Sequence, residues 1–153
     1  MIVVIGGGAA GLMAAISAAE RGASVTLIEK NNDLGKKIRI TGKGRCNVTN
    51  ACPTEEIFEN IPTNHTFLYS AIYSFTNYDV MSFFEGCGVP LKVERGERVF
   101  PESDKAIDIV NALKKRGYDF PLSAIELRGI YAENYTDHKA NGKMAGKRGV
   151  RTF

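Results

Sequence analysis

An α/β fold built on a parallel sheet is predicted by three features at the start of the chain. Ile2-Val-Val-Ile5 is a short β-branched run, the pattern of a strand buried on both faces. Gly6-Gly-Gly8 stops it, and a helix-forming stretch follows from about Ala9 to Arg21, with Gly22 where a C-cap is expected. Ser24-Val-Thr-Leu-Ile28 is a second such run, and Glu29 ends it. Strand, helix and strand in this order make a β-α-β unit with a right-handed crossover.

The glycines of the first turn match G-x-G-x-x-G at Gly6, Gly8 and Gly11. Gly6 permits the tight turn, Gly8 lets the backbone approach a pyrophosphate, and Gly11 lets helix and strand pack closely. The helix start at Ala9 and Ala10 presents N–H groups and a positive dipole end to phosphates. Small Ala15 lies one helical turn beyond Gly11, and Glu29 closes the second strand at the distance a ribose-binding carboxylate needs. A carboxylate there accepts hydrogen bonds from ribose hydroxyls and repels a 2′-phosphate, which favours FAD or NAD over NADP. The glycine triplet alone is a weak signal, but its place between strand and helix predicts a Rossmann-like FAD/NAD(P)-binding domain.

Residues 41–50, TGKGRCNVTN, are neither a strand nor a helix pattern and are too polar for a core. With Lys30, Lys36 and Lys37 before them, they are read as a second layer of the nucleotide site. Gly42 and Gly44 allow unusual backbone angles. Lys43 and Arg45 can neutralise phosphate charge, and Arg45 has no evident structural need. Asn47, Thr49 and Asn50 can bond flavin and ribose oxygens, or else build the turn and cap the next helix. Cys46 is weighed as a thiol activated by Arg45 against a small packing residue, and packing is favoured.

Further along, Thr54 is expected to cap a short helix through Asn60. Phe67, Leu68, Ala71, Ile72 and Phe75 recur at helical spacing, and Val80, Met81, Phe83 and Phe84 lie on the next helical stretch. Residues 91–94 and 98–100 flank Arg95-Gly-Glu97, a hairpin signal. Ser103 is expected to cap a helix from about Asp104 to Arg116, ended by Gly117.

Composition bounds the function. The chain of 153 residues is 44% hydrophobic and 24% charged, which suits one domain of globular type. The net charge of +3 is a property of its end: residues 138–153 carry five basic residues and no acid, so the first 137 residues sum to −2. That end is read as a solvated tail, and a nucleic-acid partner ranks behind the other readings. Cys46, Cys52 and Cys87 are an odd count without CxxC spacing, which argues against a disulfide framework or zinc site and for a reducing, cytoplasmic setting. Residues 1–19 are uncharged, yet they lack a basic leader region and three glycines interrupt them, so no membrane segment is expected. His65 and His138 have no metal-ligand partner in sequence, no metal is expected, and no residue is assigned to catalysis.

VVIGGGAAGLMAA followed by GKKIRITGKGRCNVTN resembles the bacterial aminoacetone-oxidase-like and bile-acid-reductase-like FAD-dependent oxidoreductases. GRCNVTN is the specific part, and the likeness continues through FLYSAIYSFTN, FFEGCGVPLKVERGERVFPESDKA and DIVNALKK, covering about residues 1–116. The resemblance implies FAD as cofactor, its ADP half on Gly6, Gly8, Gly11 and Glu29, with Arg45 and Asn47 near the flavin. It also implies NAD(P)H as electron donor in full-length relatives, some of which reduce carbon–carbon double bonds of dehydro bile acids. Those relatives continue with further strands and an inserted substrate domain. The expectation is therefore a partial FAD-binding domain over 1–117, with a β-hairpin and added helices, then a divergent, poorly ordered basic tail over 118–153. An FAD-dependent oxidoreductase in truncated form is the first reading. A non-enzymatic fragment that folds partly or needs a partner chain is the second.

Overall fold

The structure is a computed structural model that describes residues 1–117 and the backbone of residues 118 and 122–126. The chain divides into two compact units, Met1–Lys36 with the chain from Leu113 onward, and Lys37–Ala112.

The first unit contains β1 (Ile2–Ile5), α1 (Ala9–Glu20), β2 (Val25–Glu29) and β6 (Leu122–Glu126). Its three strands form a parallel sheet in the order β1-β2-β6, with Ile2 in register with Val25 and Val25 with Leu122. One stripe of α1, Leu12, Ala15, Ile16 and Ala19, is buried, as are Val25 and Leu27 of β2; the i, i+3, i+4, i+7 spacing is that of a single helix face. α1 ends where the sequence predicts. Gly22 takes φ +81, its N–H donates to Ala19 O at 2.9 Å, and Ala23 N–H donates to Ala18 O at 3.1 Å. These paired bonds satisfy carbonyls that a helix end leaves open. Arg116 Nε donates to Glu20 Oε1 at 2.7 Å.

Two expectations change here. β1 is not buried on both faces: Ile2 and Val3 are exposed, and Ile5 is 80% exposed. Among the described residues β1 pairs on one side, with β2, and a short apolar run does not reveal how many neighbours a strand has. The second change is β6, which lies inside the stretch 118–153 assigned to a tail. A parallel strand need not alternate in polarity, so periodicity gave no sign of it. The basic residues from Lys139 onward lie outside the described residues.

The second unit holds β3 (Thr49–Asn50), α2 (Thr54–Glu59), α3 (Tyr69–Ser74), α4 (Asn77–Gly86), β4 (Leu91–Glu94), β5 (Arg98–Pro101) and the start of α5 (Ala106–Tyr118). β4 and β5 form the predicted hairpin, with Gly96 at φ +74 in its turn, and β3 adds antiparallel to β5. α5 buries Ala106, Ile109, Val110 and Leu113 at helical spacing. Gly117 does not end α5, which runs to Tyr118. Ser103 acts ahead of its start: its Oγ accepts from Lys105 N–H at 3.2 Å and donates to Asp108.

Thr54 is the first residue of α2 rather than its cap, a place taken by Pro53. Its hydroxyl instead donates to Asn77 Oδ1 at 2.8 Å, and Asn77 Nδ2 donates to Asn50 O and Cys52 O, each at 2.8 Å. Asn77 is 4% exposed and joins α4 to the start of α2 and to β3. Replacing Asn77 with leucine strands both carbonyls and the Thr54 hydroxyl. The expected loss is about 2–4 kcal/mol, measured as a fall in the urea midpoint at constant slope.

Candidate dinucleotide-binding site

The first turn and the end of β2 form one hydrogen-bonded assembly. Gly6 takes φ +101, a conformation that glycine tolerates. Gly7 is buried; its N–H donates to Glu29 Oε2 at 2.6 Å, and its carbonyl accepts from Gly35 N–H at 2.7 Å. A Cβ at Gly7 would overlap the Leu34 side chain and stand 3.2 Å from Glu29 Oε2. Gly7 is thus constrained by its neighbours, as Gly11 is, which sequence reasoning missed because the motif leaves that position free.

Gly8 is the N-cap of α1, at φ −81 and ψ −173, with nothing within 4 Å of where its Cβ would be. Among the described residues nothing requires glycine there, and the position is open to a close-lying ligand. The first intrahelical bond of α1 runs from Leu12 N–H to Gly8 O at 2.9 Å. The N–H groups of Ala9, Ala10 and Gly11 precede it and have no intrahelical partner. No acidic side chain lies in that first turn. Gly11 serves packing, as expected: an added Cβ would overlap the Gly6 carbonyl oxygen.

Glu29 ends β2 at 8% exposure. Beyond the Gly7 bond, its Oε1 accepts from Asn31 N–H at 2.8 Å and Asn31 Nδ2 at 2.5 Å. Burial pushes this carboxyl up, but hydrogen bonds from Asn31, Gly7 and Lys30 outweigh it and hold the group below its ordinary 4.5. The sign follows: stability supplied by ionised Glu29 is complete above pH 4.5 and is lost only as pH falls through the lower folded-state value. An NMR titration of the Glu29 side-chain carboxyl is expected to give a midpoint under 4.5. Lys30 and Lys36 lie exposed on the segment that follows. The cleft of about 400 Å³ in this unit, lined by Ile2, Ser17 and Arg21 among others, lies at the opposite end of α1.

Gly42, Arg45 and Asn47 belong to the second unit. Their loop is a tight coil in which Gly42, Lys43, Gly44 and Cys46 all take positive φ. A Cβ at Gly42 would stand 3.1 Å from Asn47 N and 3.2 Å from the Phe100 ring. Arg45 does have a structural role, contrary to expectation. Its Nε donates to Asp104 Oδ1 at 2.8 Å, its Nη2 to Glu94 Oε1 at 2.5 Å, and its guanidinium stacks 4.1 Å from the Phe100 centroid. The Glu94 bond, with help from Asp104, raises Arg45 further. Exposed Asn47 places its amide nitrogen 2.9 Å from Thr49 O in the orientation that satisfies it. Asn50 is engaged in its own turn, accepting from Cys52 N–H at 2.8 Å and donating to Gly96 O at 2.9 Å. Cys46 is buried, and burial pushes its thiol up against a weaker opposing bond from Thr41, so it is a packing residue rather than a thiolate. Burial and the Glu56 and Glu97 carboxylates likewise raise the Cys52 thiol, which keeps it protonated.

A strand–glycine turn–helix with an acidic residue ending the next parallel strand defines a Rossmann-type dinucleotide-binding unit. The chain belongs to the HI0933-like protein Rossmann domain family, which matches it over residues 1–136. That match passes the point near residue 116 where the resemblance in sequence was expected to end. The chain is 35% identical over 115 residues to the 3-dehydro-bile acid delta(4,6)-reductase of Clostridium scindens, covering 74% of this chain and 27% of that protein. It is 34% identical over 112 residues to the ribosomal RNA dihydrouridine synthase of Haemophilus influenzae, covering 73% and 27%. The chain thus spans about a quarter of the length of these relatives. Among solved structures, Thermovibrio ammonificans THI4 superposes with a TM-score of 0.52 at 13% identity, over 82% of this chain and 37% of that one, a likeness of fold.

Proposed function

We propose that the chain carries the ADP-binding part of an FAD-dependent oxidoreductase that reduces carbon–carbon double bonds. The supporting observation is the open space at Gly8, set at the start of α1 beside the Glu29 carboxylate. The pyrophosphate is held by the N–H groups of Ala9, Ala10 and Gly11 and by the positive end of α1. Glu29 takes the adenosine ribose. Lys30 and Lys36 add positive charge nearby. For Gly42, Arg45 and Asn47 a cofactor contact rests on the family resemblance alone.

The bound flavin supplies hydride transfer. The two relatives' names share one reaction type, since a bile-acid delta(4,6)-reductase and a dihydrouridine synthase both saturate a carbon–carbon double bond. Their substrates differ, and their near-equal identity favours neither. NAD(P)H is the proposed donor and the cytoplasm the proposed setting; among the described residues no helix is long and apolar enough to cross a membrane.

The test is equilibrium titration of the purified chain with FAD, followed by flavin fluorescence. Saturable one-to-one binding is expected, weakened by about 1–3 kcal/mol in Glu29→Ala, the range for a hydrogen bond to a charged group. Absence of binding, or equal affinity in the variant, refutes the assignment. NAD(P)H consumption with an enone acceptor is the second arm. FAD binding without turnover would favour a cofactor-binding part that needs a partner chain.

A further inference from the structure

We propose that Asn31 is a positioning residue that fixes the Glu29 carboxylate for an unphosphorylated ribose and so sets the discrimination against a 2′-phosphate. This rests on the dinucleotide reading above. Both oxygens of Glu29 are held from within the first unit. Gly7 N–H holds Oε2 at 2.6 Å, and Asn31 holds Oε1 through its backbone N–H at 2.8 Å and its side-chain amide at 2.5 Å. A carboxylate offers about four lone-pair sites, so these bonds, to which the Lys30 backbone N–H adds, leave little capacity and fix its direction.

The Gly7, Lys30 and Asn31 backbone N–H groups stay in place when the side chain at position 31 is replaced. The Asn31 amide is the one side-chain donor, and it lies on the oxygen that Gly7 does not hold. Without it Oε2 keeps its Gly7 bond and Oε1 keeps the Asn31 backbone N–H, so the direction of the carboxylate is less firmly fixed and it turns more readily. A carboxylate that turns loses aligned hydrogen bonds to ribose hydroxyls, which weakens an unphosphorylated ligand. It also moves its charge away from a 2′-phosphate, which relieves the repulsion. Affinity for the unphosphorylated ligand therefore falls while that for the 2′-phosphorylated one does not, and no general loosening of the fold would produce that pattern.

The experiment compares ADP with its 2′-phosphorylated counterpart, adenosine 2′-phosphate 5′-diphosphate, by calorimetric titration of the 153-residue chain. Wild type is expected to prefer ADP. Asn31→Ala is expected to bind ADP about tenfold more weakly, the size of one net hydrogen bond to a charged group, while the 2′-phosphorylated ligand is unchanged or tighter, so that the ratio of affinities falls. Asn31→Ser keeps a short donor, is expected to fall between the two, and serves if the alanine variant does not fold. If wild type binds ADP and the variants keep its ratio, or lose both ligands in equal proportion, Asn31 is a structural residue and the inference is overturned while the dinucleotide reading stands. If wild type binds neither ADP nor FAD, the reading itself fails and takes the inference with it.

Discussion

Replacing Gly11 with alanine is expected to destabilise the first unit by about 2–3 kcal/mol, although helix propensity alone argues the opposite sign. In an open helix, alanine in place of glycine gains about 1 kcal/mol. Here the new Cβ would overlap the Gly6 carbonyl oxygen and lie 3.0 Å from its carbon, with Val4 Cγ1 at 3.6 Å beyond. The obstructing atoms are backbone, so relief requires α1 to move off β1. Overpacking of this kind costs about 1–3 kcal/mol, occasionally more, and α1 carries the buried stripe of Leu12, Ala15, Ile16 and Ala19 with it. Thermal unfolding of the apoprotein is the measurement. A midpoint equal to or above that of wild type would show that helix and strand do not approach as closely as described.

Gly8→Val is expected to do the reverse: leave folding nearly intact and abolish dinucleotide binding. At φ −81 and ψ −173 the Gly8 backbone is extended, a conformation valine adopts readily, and among the described residues nothing lies within 4 Å of the added Cβ. Loss of chain freedom in the unfolded state even favours the variant slightly. The valine methyl groups would fill the space proposed for the pyrophosphate, so the Kd for FAD is expected to rise by at least about 100-fold, or roughly 2.7 kcal/mol. Flavin fluorescence titration beside a melting curve separates the two effects. Wild-type affinity in a folded Gly8→Val protein would falsify the placement of the phosphates. Together, the two variants test whether the glycine motif divides into a position that the fold needs, Gly11, and one that the proposed ligand needs, Gly8.

What sequence could reveal follows from the range of each interaction. β1, α1, β2 and Gly22 were legible because a β-α-β unit is written in local periodicity and one C-capping glycine. The β4–β5 hairpin was legible for the same reason. The exposure of Ile2, Val3 and Ile5 was not, since an apolar run carries no record of which flank is paired. β6 was not, since a five-residue parallel strand has no distinctive period. Gly6, Gly8, Gly11 and Glu29 were singled out as site candidates by spacing, and the structure brings the first turn and Glu29 together through Gly7. Arg45 was misjudged because its partners Glu94 and Asp104 lie 49 and 59 residues away, beyond any local pattern. Asn77 was hidden for the same reason: its partners lie 23–27 residues back, and its neighbours in sequence mark only an aromatic helix.

Gly7 also has an evolutionary consequence. The volume that a side chain at position 7 would occupy is filled by Leu34, and its N–H is committed to Glu29. Drift at these positions is therefore expected to be correlated. A lineage that enlarges residue 7 must shorten residue 34, and one that loses the acid at 29 must find another acceptor for the buried amide. Positions that the chain separates by a whole helix and strand are thus expected to vary together, because the side chain tolerated at position 7 depends on the loop after β2.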